Sequence, residues 1–87
     1  MYKLKNYMEE IVQEYLDDVI ADIDMCKCEK CRLDIVAIAL NNLPSKYIVS
    51  EKGELFSKLN TFIIQFEVDA VAAITKAALI VKEKTLH

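Results

Sequence analysis

Apolar residues recur along the first quarter of the chain at Leu4, Tyr7, Met8, Ile11, Val12, Tyr15, Leu16, Val19, Ile20 and Ile23. Their steps alternate between one and three or four, which is the stripe of an amphipathic helix. Glu9, Glu10, Gln13, Glu14, Asp17, Asp18 and Asp22 fill the opposite face, which reads as solvated surface. Met25–Arg32 breaks the pattern with M-C-K-C-E-K-C-R, a turn from which Cys31 can open a second helix. Leu33–Leu40 is then apolar on nearly every side. Its β-branched residues suit a strand, but no partner strand is expected anywhere in the chain, and a lone strand is not viable. The expectation is a central helix buried on all sides, ending at Asn41-Asn42 ahead of Pro44.

Ser50-Glu51-Lys52-Gly53 is the most turn-like stretch, and from Glu54 to Leu86 no Gly or Pro appears. Leu55, Leu59, Phe62, Ile63, Phe66, Ala70, Ala73, Ile74, Ala77, Ile80 and Val81 keep helical spacing there. A single helix of that length would run about 50 Å. A domain of this size has a radius of gyration of about 12 Å, so the segment must project or break, the weakest point being Asn60-Thr61. The predicted fold is all-α: one domain over 1–87, with an amphipathic first helix, a buried second helix and a long C-terminal helix.

Composition sharpens this picture in two respects. The 87 residues are 54% hydrophobic, more than one small core can cover, so a homodimer is expected. Leu55–Val81 and the first helix are its expected contact surfaces, with Ala70, Ala73 and Ala77 permitting close approach. The charge is also uneven. Residues 1–25 carry −5, residues 26–52 carry +2 and the remainder is neutral, for a total of −3. That balance argues against duplex nucleic acid as a partner. Val68–Val81, the most apolar run, is too short for a membrane span and contains Asp69 and Lys76. The start, MYKLKNYMEE, is polar and unlike a secretion signal, so the expected location is the cytoplasm.

Cys26-x-Cys28-x-x-Cys31 is the one constellation that carries chemistry. Zinc favours thiolates in tetrahedral array, and cysteines spaced around a turn can converge on one point. Lys27, Lys30 and Arg32 are interleaved and favour thiolates electrostatically. A redox-active dithiol and three unrelated thiols are the alternatives. Three cysteines leave a fourth coordination position, for which Asp34, His87, Asp24, Glu29, water or a partner chain are candidates. There is no Gly-rich phosphate loop and one His in total, so no enzyme is expected. Lys27, Lys30, Arg32, Lys46 and Lys52, with Tyr47 as a stacking ring, are the groups a phosphate-bearing nucleotide would need. The plainer reading is a solvated basic patch that balances the acidic first helix.

The run Cys26–Tyr47 has the pattern C-x-C-x-x-C, then D-I-V-A-I-A-L-N, then L-P-x-x-Y, and upstream stands Tyr7-Met8-Glu9-Glu10-Ile11-Val12. Over residues 7–48 this resembles the late competence development protein ComFB family. The resemblance implies an all-α fold, a symmetric homodimer, a cysteine-held zinc and a non-catalytic role, with a regulatory protein as a further candidate partner. Some relatives are described as receptors for cyclic dinucleotide second messengers, so such a ligand is implied as well. Bacillus-type relatives carry an additional cysteine near the C-terminus, where this chain has none and ends in His87.

Overall fold

Asn6 decides where the first helix begins. In the computed structural model, which describes residues 2–50 and 60–84, the Asn6 backbone is extended (φ −89°, ψ 110°). Its side-chain oxygen accepts the N–H of Met8 at 3.2 Å, satisfying one of the helix's exposed donors. The chain runs β1 (Lys3–Asn6), α1 (Tyr7–Ile20), α2 (Glu29–Asn41), β2 (Tyr47–Ser50) and α3 (Asn60–Lys84). The fold is mostly helical, with a small sheet that corrects the all-α expectation.

That sheet is an antiparallel pair in the register Lys3↔Ser50, Leu4↔Val49, Lys5↔Ile48 and Asn6↔Tyr47. Tyr47-Ile48-Val49 has the aromatic and β-branched character of a strand, whereas Lys3–Asn6 does not and is recruited by pairing. The ribbon is fastened at the head of α1. The Lys46 N–H donates to the Asn6 side-chain oxygen at 2.9 Å, and the Tyr7 N–H donates to the Lys46 carbonyl at 2.7 Å. Leu4, expected on the helical stripe, therefore lies on the ribbon and stays exposed beside Val49.

α1 buries Met8, Ile11, Val12, Leu16 and Ile20, the expected stripe. α2 buries Cys31, Ile35 and Ala39, one residue per turn. Here the structure corrects the reading of a helix buried all round: Leu33 is 59% exposed and Ala37 is also exposed. α1 and α3 pack against α2 and cover the Cys31–Ala39 stripe, while Leu33 and Ala37 face outward. The helix ends as expected, with Asn42 donating from its backbone to the Ala39 carbonyl and from its side chain to that of Ile38.

α3 packs along both α1 and α2. It presents Ala70, Ile74, Ala77, Ala78 and Val81 to the core, and the three alanines let the helices approach closely. Ala70 and Ala77, expected at a dimer contact, are thus buried within the chain. Burying a side chain such as Ile35 or Ile74 contributes about 1.5–3 kcal/mol each. The opposite face of α3 exposes Ile64, Val68, Val71 and Leu79. The described part of α3 starts at Asn60, and the residues before it, on which the expected break at Asn60-Thr61 depends, lie outside the described residues. Ser50, expected to open a turn, ends β2 instead, and residues 51–59, the side chains of Phe62 and Ile63, and residues 85–87 lie outside the described residues. The molecule measures 43 × 24 × 20 Å. Among the described residues no helix is long and apolar enough to cross a membrane.

Candidate metal centre

The three cysteines meet at the junction of α1 and α2. The Ile23 N–H donates to the Ile20 carbonyl at 3.0 Å as α1 ends. The Lys27 ammonium donates to the Ile23 carbonyl at 2.7 Å, closing the loop. Cys28 is the N-cap of α2 in extended conformation (φ −69°, ψ 167°), and its carbonyl accepts the Arg32 N–H at 2.9 Å. Cys31 lies three residues on, next to the cap on the same helix face. With Cys26 on the incoming loop, all three sulfurs lie within 4.8 Å of one another.

Their surroundings differ. Cys31 is buried in the core, Cys26 is half-buried and Cys28 is exposed. The backbone N–H of Cys31 holds the Cys28 thiol below its ordinary pKa, helped by the Cys26 and Cys31 thiols and by the Lys30 N–H. That is the effect of a helix N-terminus on an anion. The donor set suits a soft divalent metal. In a tetrahedron with metal–sulfur bonds of about 2.3 Å the sulfurs would stand about 3.8 Å apart, so a contraction of at most about 1 Å on any side would close the triangle.

The interleaved cations have partners of their own. Lys30 pairs with Asp34 at 2.8 Å; that hydrogen bond and the carboxylate charge hold its ammonium above the ordinary lysine range. Arg32 pairs with Asp17, tying α2 to α1, and the bond raises its pKa. Lys46 and Tyr47 lie at the other end of α2, one helix length or about 20 Å from this group. The Lys46 ammonium sits 5.6 Å from the centre of the Phe66 ring, which meets Tyr7 edge-on at 6.3 Å. Tyr47 is 66% exposed. The structure thus brings Cys26, Cys28 and Cys31 together, and divides the candidate ligand residues into Lys27, Lys30 and Arg32 at one end and Lys46 and Tyr47 at the other. Lys52 lies outside the described residues.

Two features escaped the sequence reading. Asp17 is the partner of Arg32, hidden among seven acids with nothing to single it out. An open groove of about 570 Å³ lies between the end of α2 and α3, lined by Ile38, Leu43, Pro44, Asp69, Lys76 and Ile80 among others. It depends on how two distant segments pack.

The model of the family described as Late competence development protein ComFB matches residues 5–85. Competence protein ComFB of Bacillus subtilis (strain 168) is 26% identical over 81 residues, covering 92% of this chain and 83% of that protein. The solved structure of the late competence protein ComFB from Bacillus subtilis is similar at a TM-score of 0.75 and 25% identity, covering 94% of this chain and 91% of that one.

Proposed function

The chain belongs to the late competence development protein ComFB family, and from that premise we propose that it is a non-catalytic regulatory binding protein of competence, a homodimer in the cytoplasm with one zinc ion per chain. The observation that carries this reading is the convergence of Cys26, Cys28 and Cys31 within 4.8 Å. A zinc ion there would be held by the three thiolates. It would join the end of α1 to the start of α2, a useful staple for a domain of this size. Competence as the setting comes from the relatives' names.

The dimer is supported by the apolar face of α3, where Ile64, Val68, Val71 and Leu79 are exposed at a spacing that suits a second helix. The same face is where a regulatory protein partner would dock if the chain did not pair with itself. A cyclic dinucleotide is the small-molecule ligand proposed. Lys27, Lys30 and Arg32 beside the positive end of α2 would take its phosphates, while Lys46 and the exposed ring of Tyr47 would serve from a second position. The alternative, a thiol redox sensor, is favoured by one observation: the Cys28 thiol is exposed and its pKa is lowered.

Elemental analysis of protein purified without added metal tests the central claim. About one equivalent of zinc per chain is expected, and less than about a tenth would sink it. Light scattering should give twice the chain mass of 10.0 kDa, and a single-chain mass would remove the dimer. Isothermal titration with cyclic di-GMP and cyclic di-AMP that shows no heat up to about 100 μM would remove the nucleotide and leave a structural adaptor. Zinc release by mild peroxide would favour the redox sensor.

A further inference from the structure

Resting on the dimer reading above, we infer that two copies of the chain pair α3 against α3 in antiparallel sense about a two-fold axis at Ala72, with Asp69 of each helix meeting Lys76 of the other. Ile64, Val68, Val71 and Leu79 are exposed. With Thr75 they step along α3 by four, three, four and four residues, the spacing of a seam between two helices. The Thr75 hydroxyl donates to the Val71 carbonyl at 2.8 Å, so this polar group is satisfied within its own helix and asks nothing of a second one. Ala72 is exposed at the middle of the seam, and its small side chain lets two helices come close where they cross.

The sense of the pairing follows from charge. Asp69 and Lys76 stand two turns apart on one flank of the seam, in the row that includes Ala72. Gln65 donates to the Asp69 carboxylate at 2.9 Å and holds it along that row. The same flank borders the groove between α2 and α3, which Asp69, Lys76 and Ile80 help to line, so the row stays open to a second helix. Ala72 lies three residues from Asp69 and four from Lys76, and eight from Ile64 and seven from Leu79. Both pairs are therefore centred on the same point to within about 1.5 Å of helix rise. A two-fold axis through that point brings Asp69 level with Lys76 of the second copy, Lys76 level with the Asp69 there, and Ile64 level with Leu79. One flank thus carries both halves of its own complement, and the attraction occurs twice. Parallel copies would bring like charges to the same level and forgo both attractions.

Sedimentation equilibrium of the full chain at about 50 mM salt tests this. Asp69→Lys and Lys76→Asp should each raise the dimer dissociation constant about tenfold, because each turns two attractions into two repulsions. The Asp69→Lys, Lys76→Asp double variant exchanges the charges and should return to within about threefold of the parent. An equimolar mixture of the two single variants should form heterodimers in preference to either homodimer, read by native mass spectrometry. These differences should shrink in about 1 M salt. Circular dichroism confirms helix content first. If a reversal unfolds the chain, the neutral variants Asp69→Asn and Lys76→Gln take its place, with about threefold weakening expected from each. A dimer indifferent to these changes, a double variant no tighter than the singles, or single variants that do not prefer each other would overturn the antiparallel pairing. A parent that remains a single chain at about 100 μM would instead remove the dimer reading on which it rests.

Discussion

Cys28→Ala and Cys31→Ala remove the same chemical group from two different environments, so they separate metal binding from packing. Cys31 is 2% exposed in the core and Cys28 is at the surface. With chelator present, Cys31→Ala loses a buried sulfur, similar in size to a methylene at about 0.8 kcal/mol, and leaves a small cavity. The sum is about 1–2 kcal/mol, or a fall in Tm of about 5–15 °C for a domain of this length. Cys28→Ala under the same conditions should stay within about 0.5 kcal/mol of the parent. With zinc at about a thousand times its dissociation constant, the parent gains about 4 kcal/mol, roughly 15–30 °C. Both variants should lose most of that gain, because two thiolates remain. Thermal melts at one protein concentration, with chelator and with zinc, provide all six values. A Cys28→Ala protein that keeps the parent's zinc shift refutes the shared site. A Cys31→Ala protein that melts with the parent in chelator refutes its place in the core.

Asn6→Ala should cost about 1–2 kcal/mol, because one oxygen both caps α1 and accepts the Lys46 N–H; a urea midpoint within about 0.3 kcal/mol of the parent would contradict the double role. Arg32→Ala, Asp17→Ala and the double variant should show only a weak coupling that falls further as salt is added, since the pair is largely exposed; a strong coupling that salt does not change would mean the pair is shielded. Stability should also decline at alkaline pH. Partial burial, then the charges of Glu14 and Glu67, raise Tyr7 above pKa 10.0. Burial, then the charge and hydrogen bond of Glu67, raise Tyr15. A raised pKa contributes stability that is present below about pH 10 and lost as pH rises through the folded value. Melts between pH 8 and 11, followed with the tyrosinate absorbance, check this. Tyr15→Phe should flatten the profile, and an unchanged slope would count against the reasoning.

The parts of the fold legible in the sequence are those set by local periodicity. The α1 stripe from Met8 to Ile20 has steps of one, three or four, and nothing distant is needed to read it. The thiol cluster was legible for the same reason: Cys28 and Cys31 fall at the cap and first turn of a helix, so their proximity is local geometry. The ribbon was not legible, since Lys3–Asn6 has no strand character of its own and acquires it from Tyr47–Ser50 through pairing across more than forty residues. The outward side of α2 was misread because Leu33 and Ala37 are as apolar as their buried neighbours; which stripe is covered depends on where α1 and α3 lie. The division of the basic residues had the same origin. They are near one another in sequence, and a helix of 13 residues holds their two groups apart.

The pairing of α1 with α3 joins the two extremes of the chain, and this governs how the molecule is made. Synthesis proceeds from the N-terminus at about 5–20 residues per second, so roughly 3–12 s separate the appearance of Ile20 from that of Val81. For that interval Ile11, Val12 and Leu16 have emerged without the surface that later covers them. The nascent chain must hold an amphipathic helix with its apolar side bare, and α2 alone offers partial shelter. Folding is therefore completed only when the last helix leaves the ribosome. Any early stop before Ala70 would release a product without most of its core, suited to rapid proteolysis rather than to partial function.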